Sequence, residues 1–474
     1  MTVKRIGLIA GPAIAALMLM IGPPAGLGNA GWATAALLAL MAIWWATEPI
    51  PIPATSLLPL AVLPLIGAGT PAEAASGYSS TIVMLLLGGF IIALGIERWG
   101  LHKRIALNVV SIVGNSPQAL ILGFMIATAL LSMWISNTAT TLMMVPIALS
   151  AAAALGDKSG RFVVALLLGV CYAASIGGVA TPIGTPTNLI AIDWLKNNAD
   201  ASIGFITWMK FGIPAMLLLI PAAWWSVTRG LPKLTGGQAA LDSVKASKAA
   251  LGPMNQPEVR AALVFGFTAL LWVTRLPVQS LGHARGWEWA NAYSDMGIAI
   301  AGAMAMFLIP ASKKEGRALL NWKEARELPW GVLILFGGGI SIGRAVTRTG
   351  LSDWMGEQLS MLSAFPPLLF IAFVVMLVIF LTELTSNVAT MTTLAPVLGA
   401  LAGAIGAGPE SLLAPAAVAA SCAFMLPVAT APNAIIYATD EVPIGQMMQK
   451  GLRVNLIGVL IITAVGFWIA PHIL

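Results

Sequence analysis

Ser136-Asn137-Thr138-Ala139-Thr140 lies in the middle of a long apolar run, and 250 residues later the chain reads Ser386-Asn387-Val388-Ala389-Thr390. Hydroxyls and amides in so apolar a setting offer neutral oxygens to a hard cation such as Na+. They also offer amide and hydroxyl donors to an anion that has shed its water. One copy would carry little weight, because an intramembrane Asn is often only glue between helices. The recurrence carries more. The same offset pairs Pro146 with Pro396, Gly156 with Gly406, Gly88-Gly89 with Gly338-Gly339, Arg98 with Arg348, and Gly100-Leu101 with Gly350-Leu351. Val179-Ala180-Thr181 answers Val428-Ala429-Thr430 at an offset of 249, and Asn188 answers Asn433 after a short deletion. A repeat unit is therefore present twice.

A second polar element follows each motif. Gly184-Thr185-Pro186-Thr187-Asn188 interrupts one apolar stretch and Ala429-Thr430-Ala431-Pro432-Asn433 interrupts its counterpart. Proline lacks the N–H that would continue a helix. Each break thus frees carbonyls from the upper half and N–H groups from the lower half. Freed carbonyls suit a cation and half-helix N-termini suit an anion. Neither the tips nor the breaks contain Lys or Arg. A dianion buried there without countercharge would cost several kcal/mol or more. Cations bound beside it would supply that charge, and each ligand would then favour the other.

The elements that position these groups follow from composition. Of 474 residues, 58% are hydrophobic and 9% charged, and the mean hydropathy is +0.89. Soluble domains carry about 25% charged residues, so this surface faces lipid. Apolar runs of about 20 residues span a bilayer. The clearest are Ile6–Ile21, Trp32–Trp45, Phe211–Trp225, Ala261–Val273, Met296–Pro310 and Leu452–Ala470. The runs are continuous rather than alternating, which excludes a barrel. The arms on either side of the first motif, Ala119–Trp134 and Ala139–Ala154, would each be about 24 Å of helix. That is short of a roughly 30 Å core. Two short arms with a polar tip read as a re-entrant hairpin, and the second motif has the same form.

Charge orients the chain. With the N-terminus inside, Lys103, Arg104, Lys158, Arg161, the linker bearing Arg229, Lys233, Lys245 and Lys248, and the loop with Lys313, Lys314, Arg317, Lys323 and Arg326 all fall inside. Gly67–Ser80 and Asn197–Ser202 fall outside without Lys or Arg, while Arg275, Arg285 and Arg348 remain outside. This requires that Gln118–Leu155 and Pro366–Ile405 enter and leave on one side, which points the two copies in opposite directions. The expected fold is an all-α polytopic membrane protein of about 11 transmembrane helices. It has two inverted repeats, two re-entrant hairpins and two broken helices. The divisions are an N-terminal helix in 1–30 and a first repeat in 31–228, with inner hairpin 118–155 and broken helix 162–198. A cytoplasmic linker in 229–260 precedes a second repeat in 261–474, with outer hairpin 366–405 and broken helix 411–440.

Other residues read more plainly. Lys4 and Arg5 before an apolar stretch fit a retained first helix better than a signal peptide. Cys171 and Cys422 sit in apolar segments, and His102, His283 and His472 are scattered, which leaves no disulfide framework and no metal spacing. The net charge of +6 reflects basic loops rather than nucleic-acid binding. Glu383, the acid inside a hairpin, is either a proton or cation site or a brace for the hairpin. Asp193, Asp440 and Glu441 read as helix-end residues, and Trp134 as packing. Pro49-Ile50-Pro51-Ile52-Pro53 after Glu48 starts the next helix, and the 22 methionines are filler.

The paired motifs, the Gly-Thr-Pro-x-Asn break and the Glu-x-Ile-Pro-Ile-Pro stretch from Glu48 to Pro53 resemble the divalent-anion/sodium symporters over nearly the whole chain. That resemblance implies a carrier of succinate, malate, fumarate or citrate in the bacterial inner membrane. It also implies a homodimer with a fixed scaffold domain and a transport domain that moves as an elevator. It places one Na+ at Ser132, Ser136, Asn137 and the backbone near Gly184. The second falls at Thr382, Ser386, Asn387 and the backbone near Ala429. Asn137, Thr138, Asn387, Thr185, Pro186 and Thr430 would face the dicarboxylate. Val388 departs from the motif's Thr and removes one hydroxyl from the pocket, and Ala431-Pro432 stands where Thr-Pro is common, which leaves the register of Thr430 open.

The expected function is secondary transport of C4-dicarboxylates with Na+ as co-transported ion, N-terminus cytoplasmic and C-terminus outside. An exchanger without net Na+ coupling, or a carrier of citrate or sulfate, would keep the fold. A membrane-embedded enzyme would need a catalytic group of tunable pKa, and only Glu383 offers one.

Overall fold

The computed structural model describes residues 3–199, 203–232, 236–358, 366–405 and 407–474. Gly406, Lys233 and the end of the Asn197–Ser202 segment lie outside the described residues. Among those described, the chain is helical throughout, with one isolated β-bridge between Pro310 and Ala318. Among the described residues, nine helical segments are long and apolar enough to cross a membrane, and six shorter apolar helices accompany them.

The first half opens with two antiparallel helices, α1 (Val3–Ile21) and α2 (Asn29–Thr47), packed along each other. Glu48 ends α2 in the left-handed region (φ 46°), and the prolines that follow cannot rejoin it. Two short helices, α3 (Ile52–Thr55) and α4 (Leu58–Leu65), come next. The Pro-Ile-Pro run does start a helix, but one of four residues. α5 (Pro71–Ser76) begins with a capping box between Thr70 and Glu73. It leads into α6 (Thr81–Arg98), capped by Ser80, and α7 (Leu101–Val110).

The first motif forms a tight helical hairpin. α8 (Pro117–Ser132) and α9 (Asn137–Leu155) are separated by four residues, and the Ser136 hydroxyl caps α9 by accepting from the N–H of Ala139. α10 (Arg161–Gly178) is buried along nearly its whole length and packs on both arms. In the turn before it, partial burial pushes the Asp157 carboxyl up. Hydrogen bonds from the N–H of Phe162 and from Ser159 outweigh that and hold it below the ordinary aspartate range. After the break comes α11 (Pro186–Asn198), and then α12 (Phe205–Thr228).

The stretch 229–260 is more than a connector. Its α13 (Gly237–Ala250) buries Ala240, Leu241 and Val244 against α7 and α9, and its Gln238 and Ser243 meet Asn115 and Ser150 at 3.0 and 3.1 Å. α13 thus lies across the mouth of the first hairpin.

The second half continues with α14 (Gln256–Ala284), α15 (Trp289–Ala292), α16 (Asp295–Leu308), α17 (Trp330–Arg348) and α18 (Leu351–Gln358). α16 packs against α6 and α14. The second hairpin is α19 (Pro367–Thr382) and α20 (Asn387–Ala404), again with four residues between its arms. α21 (Glu410–Ala420), α22 (Ala431–Tyr437), α23 (Ile444–Trp468) and α24 (Ala470–Ile473) complete the chain.

The two halves interlock at the centre. α11 packs on α20 and α21 of the second half, while α22 packs on α9 and α10 of the first. One continuous apolar cluster joins α8, α10, α12, α19, α21 and α23. Trp134 packs within a stack of Phe205, Trp272 and Phe265. α11 also lies against α17. Lys196 donates to Thr81 of α6 at 3.3 Å, the Thr347 hydroxyl donates to Asn198 at 2.6 Å, and Asp193 and Arg344 line one small cavity closed by Thr392, Ala395 and Pro396 of α20. Asp193 is therefore a buried residue in the body of α11, not a helix-end residue. Among the described residues, α22 makes no corresponding hydrogen bond to α6.

Candidate functional site

Each hairpin tip presents its helix-end hydroxyl to its own asparagine and to the neighbouring broken helix. Ser132 Oγ lies 2.6 Å from Asn137 Oδ1 and 2.7 Å from the carbonyl of Ala174. Thr382 Oγ1 lies 2.8 Å from Asn387 Oδ1 and 3.0 Å from the carbonyl of Ala420. One hydroxyl proton is shared between two acceptors in each case. A cation entering either cluster would replace that proton-poor arrangement with metal–oxygen contacts, which is chemistry suited to a hard ion. No group of three or more His, Cys, Asp or Glu side chains competes as a metal site among the described residues.

Glycine lets the first cluster close. A Cβ on Gly178 would stand 2.7 Å from Asn137 Oδ1 and 3.0 Å from the carbonyl of Gly184. Gly178 thus sits between the Asn137 amide and the backbone of Gly184. In the second half Ala423 and Ala429 occupy the matching positions, as the asparagines below the breaks show. Asn188 Nδ2 donates to the carbonyls of Gly178 and Thr181 at 3.0 and 2.8 Å. Asn433 Nδ2 donates to those of Ala423 and Leu426 at 3.0 and 2.8 Å. Both asparagines reach back ten and seven residues, folding each loop on itself and satisfying carbonyls the helix break had freed.

That register corrects the sequence alignment. Thr430 corresponds to Thr185, not to Thr181. Both precede the lower half-helix with extended backbone, at φ −143° and −142°. Thr430 caps its helix by accepting from the N–H of Asn433. Thr185 is buried and stands 3.5 Å from Ser421 Oγ, while Thr187 lies 2.8 Å from the same oxygen. Pro186 is half-buried beside them.

The remaining sequence candidates are more peripheral. The Ser136 hydroxyl is exposed and committed to the cap of α9, and Ser386 is half-buried without a side-chain cap. Thr138 is half-buried at the first tip. Val388 packs into the apolar clusters, where a threonine hydroxyl would need a partner. Thr385 and Thr390 bond each other across the second tip at 2.6 Å, a contact the sequence reading missed.

Glu383 resolves into a brace by its geometry. Its Oε1 accepts from the N–H groups of Phe424 and Met425 at 2.7 and 2.9 Å and from Asn455 Nδ2 at 2.7 Å. Its Oε2 accepts from Met425 and Leu426, both at 3.1 Å. Consecutive N–H groups form a nest for the carboxylate, so its burial is compensated. The first half has Met133 at this position and makes the link differently, with the Thr181 hydroxyl donating to the Met133 carbonyl. Cys171 joins the halves by donating its thiol to Asn433 Oδ1 at 2.8 Å, and the Tyr172 hydroxyl reaches the carbonyl of Met447.

An apolar helical bundle built around two hairpins and two interrupted helices, with neutral oxygens at its centre, has the architecture of a membrane transporter. Residues 2–474 match the family model described as the sodium:sulfate symporter transmembrane region. The chain is 39% identical over 486 residues to the sodium-dependent dicarboxylate transporter SdcS of Staphylococcus saprophyticus, covering 99% of this chain and 92% of that relative. It is 40% identical over 488 residues to the protein of the same name from Staphylococcus aureus strain MRSA252, covering 100% and 92%. The crystal structure of the Alcanivorax borkumensis YdaH transporter superposes with a TM-score of 0.55 over 93% of this chain and 98% of that one, at 16% identity, a likeness of fold alone. The chain belongs to the sodium:sulfate symporter family.

Proposed function

We propose that this protein imports C4-dicarboxylates such as succinate, malate and fumarate together with Na+. The carrying observation is the pair of matched clusters, Ser132–Asn137 against Ala174 and Thr382–Asn387 against Ala420. The kinship with sodium-dependent dicarboxylate transporters supplies the substrate class. In this reading Ser132, Ser136, Asn137 and Gly184 serve one Na+, and Thr382, Ser386, Asn387 and Ala429 the other. Asn137, Thr138, Thr185, Pro186, Asn387 and Thr430 receive the carboxylates. Neutral donors orient the substrate, and the ions neutralise it.

The repeats 31–228 and 261–474 are read as inverted, with the N-terminus cytoplasmic and the C-terminus outside. Hairpins and broken helices form the body that moves, sliding as an elevator against the remaining helices in a homodimer. Interlocking of α11 with α20 and α21, and of α22 with α9 and α10, supports their moving as one unit. The test is uptake of radiolabelled succinate into proteoliposomes, with and without an inward Na+ gradient and with citrate and sulfate as competitors. Na+-dependent accumulation is expected. Uptake that ignores Na+ but needs internal dicarboxylate would make it an exchanger, and no succinate uptake would overturn the substrate assignment.

A further inference from the structure

Between α14 and α16 the protein surface holds an open groove of about 410 Å3, lined by Leu263, Phe267, Leu271, Ile298, Ala301 and Ala305 among others, with Arg260 at one end. Its walls are apolar. Apart from Arg260, the polar side chain lining it is Thr268, which spends its hydroxyl on the carbonyl of Val264. Leu263 and Phe267 are 65% and 62% exposed, so the groove opens sideways toward the bilayer.

Length and charge define an occupant. From Arg260 to Leu271 along α14 is about 16 Å, and Ile298 to Ile309 along α16 is about the same. One leaflet of a roughly 30 Å hydrocarbon core is about 15 Å deep. The groove therefore has the length of one acyl chain running from the headgroup level to the midplane. Arg260 stands at the headgroup end. Its Nη1 donates to the carbonyls of Pro310 and Ala311 at 2.5 and 3.4 Å, which fixes the guanidinium at the mouth. Its Nε and Nη2 have no partner among the described residues. Two residues beyond Ala311, Lys313 and Lys314 are exposed and take part in no ion pair among the described residues. Of the acids on that loop, Glu315 neighbours the lysines in sequence, and Glu324 is already paired with Arg98 and Arg317. The other nearby acid, Glu258, is already paired with Arg104.

We infer that this groove is a binding site for an anionic phospholipid, with one acyl chain between α14 and α16 and the phosphate held by Arg260, Lys313 and Lys314. A planar guanidinium with free N–H groups recognises phosphate bidentately, and lysines at the headgroup level add to its attraction.

The test is native mass spectrometry of the full-length protein released from mixed vesicles holding equal phosphatidylglycerol and phosphatidylcholine. Wild type is expected to retain phosphatidylglycerol at least about tenfold in preference to phosphatidylcholine. The double change Lys313→Gln/Lys314→Gln leaves the packed helices untouched and should cut that preference severalfold. Ala301→Trp fills the groove and should remove the bound lipid while leaving all three positive charges. Arg260→Gln should act like both, and the lysine pair keeps the question decidable if that variant folds poorly. Equal retention of the two lipids, or undiminished phosphatidylglycerol in Ala301→Trp, would overturn the site. So would efficient disulfide crosslinking between copies of an Ala301→Cys variant in membranes, because the groove would then be covered by protein.

Discussion

Asn455 on α23 donates its amide to Glu383 at 2.7 Å, so a side chain from the penultimate helix fixes the carboxylate that holds the second loop to the second hairpin. Four donors converge on this one buried carboxylate, three from the loop after α21 and one from α23.

Removing the carboxylate should therefore act through position rather than ligation. Glu383→Ala leaves the N–H groups of Phe424, Met425 and Leu426 without their acceptor, and each orphaned donor costs about 1–3 kcal/mol. The expected outcome is a lowered melting temperature and a loss of uptake. Glu383→Gln, which keeps one acceptor oxygen, should fall between. Equal thermal stability of Glu383→Ala and wild type in a detergent melting assay would argue against the brace.

Ser132 and Thr382 should control the ion requirement separately. Ser132→Ala or Thr382→Ala removes one oxygen from each cluster, at a cost of about 1–1.5 kcal/mol. Roughly tenfold more Na+ should then be needed for half-maximal uptake. Thr382→Ser restores the hydroxyl and should recover most of the affinity. Sodium titrations of succinate uptake read this directly; unchanged half-saturation in both alanine variants would remove these oxygens from the site.

Close approach at Gly178 gives a sharper steric test. A Cβ there would sit 2.7 Å from Asn137 Oδ1, so Gly178→Ala should abolish uptake while the protein still reaches the membrane. The matching residue of the other half is already alanine, and Ala423→Gly should transport nearly normally. Similar activity in both variants would mean the first cluster is looser than the contacts indicate.

Acid should loosen the turn between the first hairpin and the first broken helix. The Asp157 carboxyl titrates below its ordinary range in the folded protein. Its stabilising contribution is thus present above the ordinary aspartate pKa and is lost as pH falls through the depressed value. Hydrogen exchange at Ser159–Phe162 should quicken over that acidic window in wild type. In Asp157→Asn it should already be faster at neutral pH and change little with acid.

Much of this architecture was legible because apolar length and polar interruption are local properties. The tips at 133–136 and 383–386, and the breaks before Pro186 and Pro432, fall where hydroxyls, asparagines and prolines break hydrophobic runs. What stayed hidden depends on contacts between distant residues. Ser132 meets a carbonyl 42 residues away, Glu383 meets N–H groups 41 to 43 residues on, and Asn455 lies 72 residues from it. The true partner of Thr430 also escaped, because Val-Ala-Thr letters match at one offset while the asparagine hydrogen bonds select another. α13 was hidden for a simpler reason: alanines and small polar residues make up most of it, and only three buried apolar residues mark the side that covers the hairpin.

The seam between α11 and α17 has a wider implication. Here Lys196 and Asn198 of α11 bond Thr81 of α6 and Thr347 of α17, and Asp193 shares a cavity with Arg344, whereas Ala438, Glu441 and Pro443 stand at the matching places after α22 begins. Among the described residues, these contacts tie the far end of one broken helix to its surroundings and leave its counterpart without them, so the two copies of the repeat differ in how firmly their broken helices are anchored.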